Sequence, residues 1–209
     1  MRDGYVQAAA PKITYWMAIS RHLAGTIGHA MRGPTVHLRP PEMADVREFL
    51  IAAGPSRSLH RGWVSPPCSR LSFRAYLNRM KQDDFRAYLV CRNDTGAIAG
   101  VVNISQIYRG PFQSAYLDFY AMEGHQGQGL MREALRLTLR VAFGQLRLHR
   151  LEANIQPANV RSVAVVKSLG FRLEGLSSRY LKIAGRWRDH ERWAILREQF
   201  LESRRSDGC

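Results

Sequence analysis

"EGHQGQGLMREALRLTLRVAF", residues 123–143, sets Gly124, Gly127 and Gly129 within six positions and then runs into an amphipathic helical pattern. Residues without a Cβ let the chain turn tightly and leave backbone N–H groups bare. Those groups join the unpaired N–H groups of the helix's first turn, with the positive end of the helix dipole behind them, and together they suit a pyrophosphate. The plain alternative is a tight turn. Spacing excludes two other phosphate loops. A Walker loop ends in Gly-Lys-Ser or Gly-Lys-Thr, whereas Gly129 is followed by Leu130 and Met131, and a dinucleotide fingerprint requires glycine where Arg132 stands.

Outward from this turn the chain alternates strand and helix signals. Upstream, "TVHLR" (35–39) reads as a strand, and "PPEMADVREFLIAA" as a helix with Met43, Val46, Phe49 and Leu50 in its apolar stripe. Residues 54–67, rich in Gly, Pro and Ser, read as a loop. Ser69 is placed to cap a helix, "RLSFRAYLNRMKQ", with Leu71, Tyr76, Leu77 and Met80 near one face. "FRAYLVCR", "NDTG" and "AIAGVVNISQI" form a hairpin signal, and "QSAYLDFYAM" is the strand that enters the glycine turn. Downstream, the helix runs to about Gln145, "HRLEANI" is a strand, "NVRSVAVVKSL" a helix ended by Gly170, and residues 171–198 a long hairpin turning at "AG". This order predicts one mixed α/β domain with helices on both faces of a sheet. The expected divisions are an N-terminal extension over 1–32, loosely held or part of an over-long gene start, a domain over 33–199 and a tail over 200–209.

The 209 residues carry 31 Lys and Arg against 17 Asp and Glu, a net charge of +14, which implies a polyanionic neighbour such as RNA, the ribosome or an anionic cofactor. Hydrophobic residues at 45% and charged residues at 23% are ordinary globular composition. Cys68, Cys91 and Cys209 are too scattered for a disulfide framework or a zinc site, and no histidine pair has metal-ligand spacing, so no metal is expected. No stretch reaches the ~20 apolar residues that cross a bilayer. The expectation is a cytoplasmic protein with no membrane contact, either a monomer or a homodimer.

The glycine turn, its flanking strand and helix, the strand "HRLEANI" and the segment with Asn159, Ser162, Leu169, Gly170 and Phe171 resemble, in this order, the acyl-CoA-binding half of the GCN5-related N-acetyltransferase (GNAT) superfamily. The family loop reads Q/R-x-x-G-x-G/A; Gly127 and Gly129 match its glycines, and Gly124 stands where Gln or Arg is usual. "VVNISQIYRGPFQSAYLDFY" and "LKIAGRWRDH" are similar to the RimJ-type branch, whose members acetylate the terminal alanine of ribosomal proteins. The resemblance covers about residues 35–198. It implies a GNAT fold, a mixed and mostly antiparallel twisted sheet of about seven strands with helices on both faces. It also implies acetyl-CoA as cosubstrate and transfer of acetyl to a protein N-terminal α-amine.

The resemblance assigns roles residue by residue. Acetyl-CoA would be held by Ala121, Met122 and the turn residues Gln126, Gly127, Gln128, Gly129, Leu130 and Met131, together with Asn154, Asn159 and Ser162. A backbone N–H near Ala121 or Met122 would meet the thioester carbonyl, where the family splays two strands apart. Ser162 would protonate or hold the departing sulfur, the more so because Val166 occupies the position of a tyrosine found in many relatives. Tyr120, Tyr180 and Trp187 would wall the amine.

Glu152 is the candidate base. Alternation in "RLEANI" puts Leu151, Ala153 and Ile155 on one face and Arg150, Glu152 and Asn154 on the other, and the competing role for Glu152 is an ion pair with Arg150. A terminal amine needs only a modest base, because a group of pKa ≈ 7.7–8.0 is roughly one third neutral at pH 7.5, against about 0.1% for lysine. His125, His149 and His190 are expected to be surface residues, and Trp193 a cross-strand packing residue. Two other functions stay open: acetylation of a small amine such as an antibiotic or polyamine, and a ribosome- or RNA-associated assembly factor that keeps the fold.

Overall fold

The computed structural model describes residues 31–206. Seven strands form one sheet in the order β1-β2-β3-β4-β5-β7-β6: β1 (Val36–Arg39), β2 (Arg86–Arg92), β3 (Ile98–Tyr108), β4 (Ser114–Ala121), β5 (Arg150–Ile155), β6 (Arg172–Ile183) and β7 (Arg186–Leu196). The helices are α1 (Val46–Ala53), preceded by a 3-10 turn at Met43–Asp45, α2 (Arg57–His60), α3 (Arg70–Arg79), α4 (Leu130–Arg140), α5 (Val160–Lys167) and α6 (Arg197–Ser206). α4 continues into a wider π turn, Val141–Gln145.

Every neighbouring pair is antiparallel except β4 and β5. Parallel strands need a crossover, and the glycine turn with α4 supplies it. The β4–β5 pairing is short: Ser114, Ala115 and Tyr116 lie opposite Arg150, Leu151 and Glu152, and there the register ends. From Leu117 on one strand and Ala153 on the other, the two part. This opening positions the site.

Strand alternation divides the core. Leu89, Cys91 and Val101 turn to one face, where Phe49 of α1 and Phe73 of α3 cover them with ring centroids 4.8 Å apart. The opposite face meets α4: the Glu133 carboxylate accepts from the backbone N–H groups of Thr35 and Val36 at 2.9 and 3.1 Å. A Cβ at Gly33 would run into that carboxylate, and one at Gly100 would meet the Met131 sulfur at 2.6 Å, so both close approaches require glycine. Helices therefore lie on both faces, as expected.

Three boundaries differ from the sequence reading. Residues 54–67 contain α2, whose His60 is buried among polar contacts that a loop assignment does not anticipate. α3 buries Phe73, while Leu71 is 68% exposed, because the helix is rotated so that Phe73 and Tyr76 face the sheet, with Tyr76 stacking edge-on against Phe85. The tail drawn from residue 200 begins inside α6, where Phe200 is buried 5.5 Å from the Phe143 ring. At the other end Met31 is buried, its carbonyl accepts from the Leu38 N–H at 2.8 Å, and Arg32 bridges to His37. The remainder of the expected extension, residues 1–30, lies outside the described residues.

Candidate functional site

A cavity of about 990 Å³ opens where β4 and β5 part, floored by β4 and bounded by the glycine turn, the end of β5, the start of α5, His190 of β7 and the α2 loop. Gly124, Gly127 and Gly129 all hold positive φ, +81°, +73° and +77°, so each needs the left-handed region that only glycine enters freely. Gly129 is also the N-terminal boundary of α4, and no side chain caps that helix. The first N–H of α4 with a main-chain partner inside the helix is that of Glu133, bonded to the Gly129 carbonyl. The donors before it face an open turn, an arrangement that suits an anion.

The parted edge of β4 supplies further donors. The Met122 N–H is bonded to the Ala99 carbonyl at 2.8 Å, so it belongs to the β3 ladder and cannot meet a thioester carbonyl. Alternation then directs the polar groups of Ala121 and Phe119 into the opening. His60 confirms the direction, since its Nε2 lies 2.8 Å from the Ala121 carbonyl. The role expected of Met122 therefore falls to Ala121 and Phe119, and the buried Met122 side chain is a core residue.

Other expected cofactor residues divide by location. Gln126, Gly127, Gly129, Leu130 and Met131 line the cavity, and so do Asn154, Asn159 and Ser162. Gln128 does not. Its amide donates to the Gly124 carbonyl at 2.7 Å and its oxygen accepts from Arg92, so it braces the turn from outside. Asn159 caps α5, its Oδ1 accepting from the Ser162 N–H at 3.2 Å, and that bond sets Ser162 at the cavity wall. Asn154 Oδ1 and His125 Nδ1 are buried at the cavity without a hydrogen-bond partner among the described residues.

The acceptor side departs from expectation. Glu152 lies on the predicted face but outside the cavity lining, and its carboxylate accepts from Arg150 at 2.8 Å; Arg150 also bonds Glu174 at 2.6 and 2.5 Å. A carboxylate committed to a neighbouring guanidinium and set outside the lining is not placed to meet an amine in the cavity. The base role given to Glu152 loses its support here. Tyr120 lines the cavity, in edge contact with His60 at 5.0 Å. Tyr180 stands behind the wall, hydrogen-bonded to Tyr116 and 6.0 Å from the His190 ring. The bond to Tyr180, burial and the charge of Glu152 push the Tyr116 phenol up to about 12. Trp187 is 60% exposed near the hairpin tip and takes no part in the lining.

The histidines also divide. His149 is exposed, 3.8 Å from Glu198, but His125 lines the cavity and His190 is buried there, with Nδ1 3.0 Å from the Arg188 carbonyl. The sequence reading missed His60, Trp63 and Asp118 as well. Asp118 carried a readable signal, because "YLDFY" puts an acid in the middle of an apolar strand. Its side chain is solvent-exposed at the cavity and, among the described residues, is bonded only to the Ser105 hydroxyl at 3.1 Å. His60 and Trp63 lie in the stretch read as loop; Gln156 clamps that stretch over the cavity by donating to the Gly62 carbonyl at 2.8 Å.

An uncapped helix behind a glycine turn, beside parallel strands that separate, is the anatomy of an acyl-CoA-dependent acetyltransferase. The acetyltransferase (GNAT) domain family matches residues 35–172, and this chain belongs to it and is an N-acetyltransferase. Among relatives, the probable N-acetyltransferase YjcK of Bacillus subtilis is 31% identical over 174 residues, which span 79% of this chain and 96% of that one. The ribosomal protein uS5-alanine N-acetyltransferase of Escherichia coli is 42% identical over 97 residues, covering 46% of this chain and half of the relative. A spermidine N-acetyltransferase of Vibrio cholerae, solved with CoA and spermine, superposes with a TM-score of 0.69 at 24% identity over 79% of this chain and 98% of that one. No group of His, Cys, Asp and Glu among the described residues is arranged to hold a metal. No described helix is long and apolar enough to cross a membrane.

Proposed function

We propose that the protein transfers acetyl from acetyl-CoA to the α-amine at a protein N-terminus, with a ribosomal protein as substrate. The observation that carries this reading is the charge of the cavity: among the described residues, Asp118 is its only lining carboxylate, against Arg132 and Arg161. One acid suits one ammonium, and two arginines in the lining suit phosphates. A polyamine carries several cations and calls for several acids. The partial likeness to the uS5-alanine enzyme points the same way, and the +14 charge would favour approach to ribosomal RNA.

Within this reading the N–H groups of the turn from Gly127 and of the first turn of α4 bind the pyrophosphate. Ala121 and Phe119 offer backbone donors to the thioester oxygen, where charge grows as the amine adds. Asn154 orients the pantetheine arm through its unpartnered oxygen. The Ser162 hydroxyl, for which no partner stands among the described residues, donates to the departing sulfur. CoA supplies an activated thioester when bound, and the chain orients it.

The test is a screen of peptides beginning with Ala, Ser or Met against spermidine, free lysine and other small amines, with acetyl-CoA as donor. Peptides are expected to lead by at least about tenfold in kcat/KM, a difference of about 1.4 kcal/mol in transition-state binding. A preference for spermidine over every peptide would replace this reading with the polyamine one.

A further inference from the structure

We propose that Asp118 is the group that pairs with the substrate ammonium and takes its proton, the base of the reaction. This deepens the reading above and rests on it.

Three observations converge on the residue. The first is place. Asp118 follows closely on Tyr116, the last β4 residue paired with β5, so it stands where the strands begin to part, between the gap-facing backbones of Leu117 and Phe119. The donors at Phe119 and Ala121 that would face the thioester oxygen lie just beyond it on the same strand.

The second is the absence of a counter-ion. Several carboxylates of the chain are held by a cation. Asp45 has Arg39, Asp94 has Arg92, and Glu152 and Glu174 share Arg150. Among the described residues, Asp118 makes no ion pair and bonds only the Ser105 hydroxyl. A carboxylate that faces a cavity with one neutral partner leaves lone pairs for a cation that arrives from outside.

The third is the set of groups around it. From β3 it meets Ser105 and its register partner Asn103. From α3 comes Tyr76, whose hydroxyl donates to Asn103 Oδ1 at 2.6 Å. Its own strand presents Tyr116 and Tyr120, and the cavity beyond holds His60, His190 and, farther out, the two arginines. Burial pushes both Tyr76 and Tyr120 above the usual phenol range, so they remain neutral donors throughout the working pH.

The step balances as follows. The ammonium passes one proton to Asp118, which becomes a neutral carboxylic acid, and the freed lone pair forms the C–N bond at the thioester carbonyl carbon. The C–S bond then breaks, its electrons leave on sulfur, and the second nitrogen proton follows to give the CoA thiol. Asp118 returns its proton to water through the open cavity.

The experiment compares the full-length protein with Asp118→Asn and Asp118→Glu. It measures kcat/KM against pH on the best amine from the screen, and acetyl-CoA affinity by calorimetry. Asp118→Asn is expected to lose about 100-fold in kcat/KM at pH 7.5 and to keep its acetyl-CoA Kd within about twofold. Its residual activity should climb tenfold per pH unit up to the substrate pKa, because only pre-neutralised amine can react, while the wild type levels off earlier. Asp118→Glu should regain part of the loss. Activity within about threefold of wild type in Asp118→Asn, a pH profile unchanged in shape, or a parallel loss of acetyl-CoA binding would each overturn the assignment. If the best amine is spermidine, the substrate reading fails alone and the same comparison on spermidine still decides the role of Asp118.

Discussion

At Gly127 the backbone holds φ +73° and an added Cβ would meet no protein atom within 4 Å. Gly127→Val should therefore fold, with strain of about 1–2 kcal/mol from the left-handed backbone, and its side chain would occupy the space left for the pyrophosphate. An acetyl-CoA Kd raised about tenfold or more in calorimetry is the expected result, and an unchanged Kd in the folded variant would remove the phosphate seat. Glu152 carries the opposite expectation. Because Arg150 keeps two bonds to Glu174 after Glu152→Gln, that variant should keep its turnover within about threefold, at a stability cost of about 1 kcal/mol. A hundredfold loss of kcat would restore Glu152 as the base. The alternation of "RLEANI" gave the correct face for Glu152. It also offered the ion pair with Arg150 as the competing role, and the structure realises that role.

At the scale of elements, α3 begins at a reciprocal cap in which Ser69 Oγ accepts from the Ser72 N–H at 3.2 Å and Ser72 Oγ accepts from the Ser69 N–H at 2.9 Å. Ser69→Ala should cost about 1 kcal/mol, or about 2–4 °C in Tm for a chain of this size, readable by calorimetric melting. α3 places Tyr76 against Asn103, so the same variant tests whether the floor of the cavity softens as its helix frays. The turn between β1 and α1 adds a pH dependence. Burial disfavours the Asp45 carboxylate, but two bonds from Arg39 at 2.7 and 2.8 Å and one from the Glu42 N–H prevail, and its pKa falls below the usual 3.8. A depressed carboxylate stabilises the fold above the unfolded pKa and stops doing so as pH drops through the folded one. Wild type should then out-melt Asp45→Asn at pH 6, with the gap closing below about pH 4 in paired thermal scans.

Over the whole molecule, a net charge of +14 acts at the range of the Debye length, about 8 Å at physiological salt. Acetylation of an N-terminus carried on ribosomal particles should slow severalfold between 50 and 300 mM salt, while acetylation of the same terminal sequence as a short free peptide should change little. Equal salt responses would separate the basic surface from substrate capture. At this scale the division between sequence and structure becomes clear. The sequence by itself determined what short-range physics governs: the strands from their alternation, the helices from their periods and caps, the hairpin turn at Ala184 and Gly185 with φ +48° and +80°, and the glycine seat before α4. Tertiary structure alone decided what depends on residues far apart in the chain. It parted β4 from β5 after Tyr116, committed the Met122 N–H to Ala99, tied Arg150 to Glu174, and brought His60, Asp118 and His190 to one cavity. Local spacing says which face a side chain takes. Whether a charge on that face meets a partner or an empty cavity depends on which distant strand folds beside it.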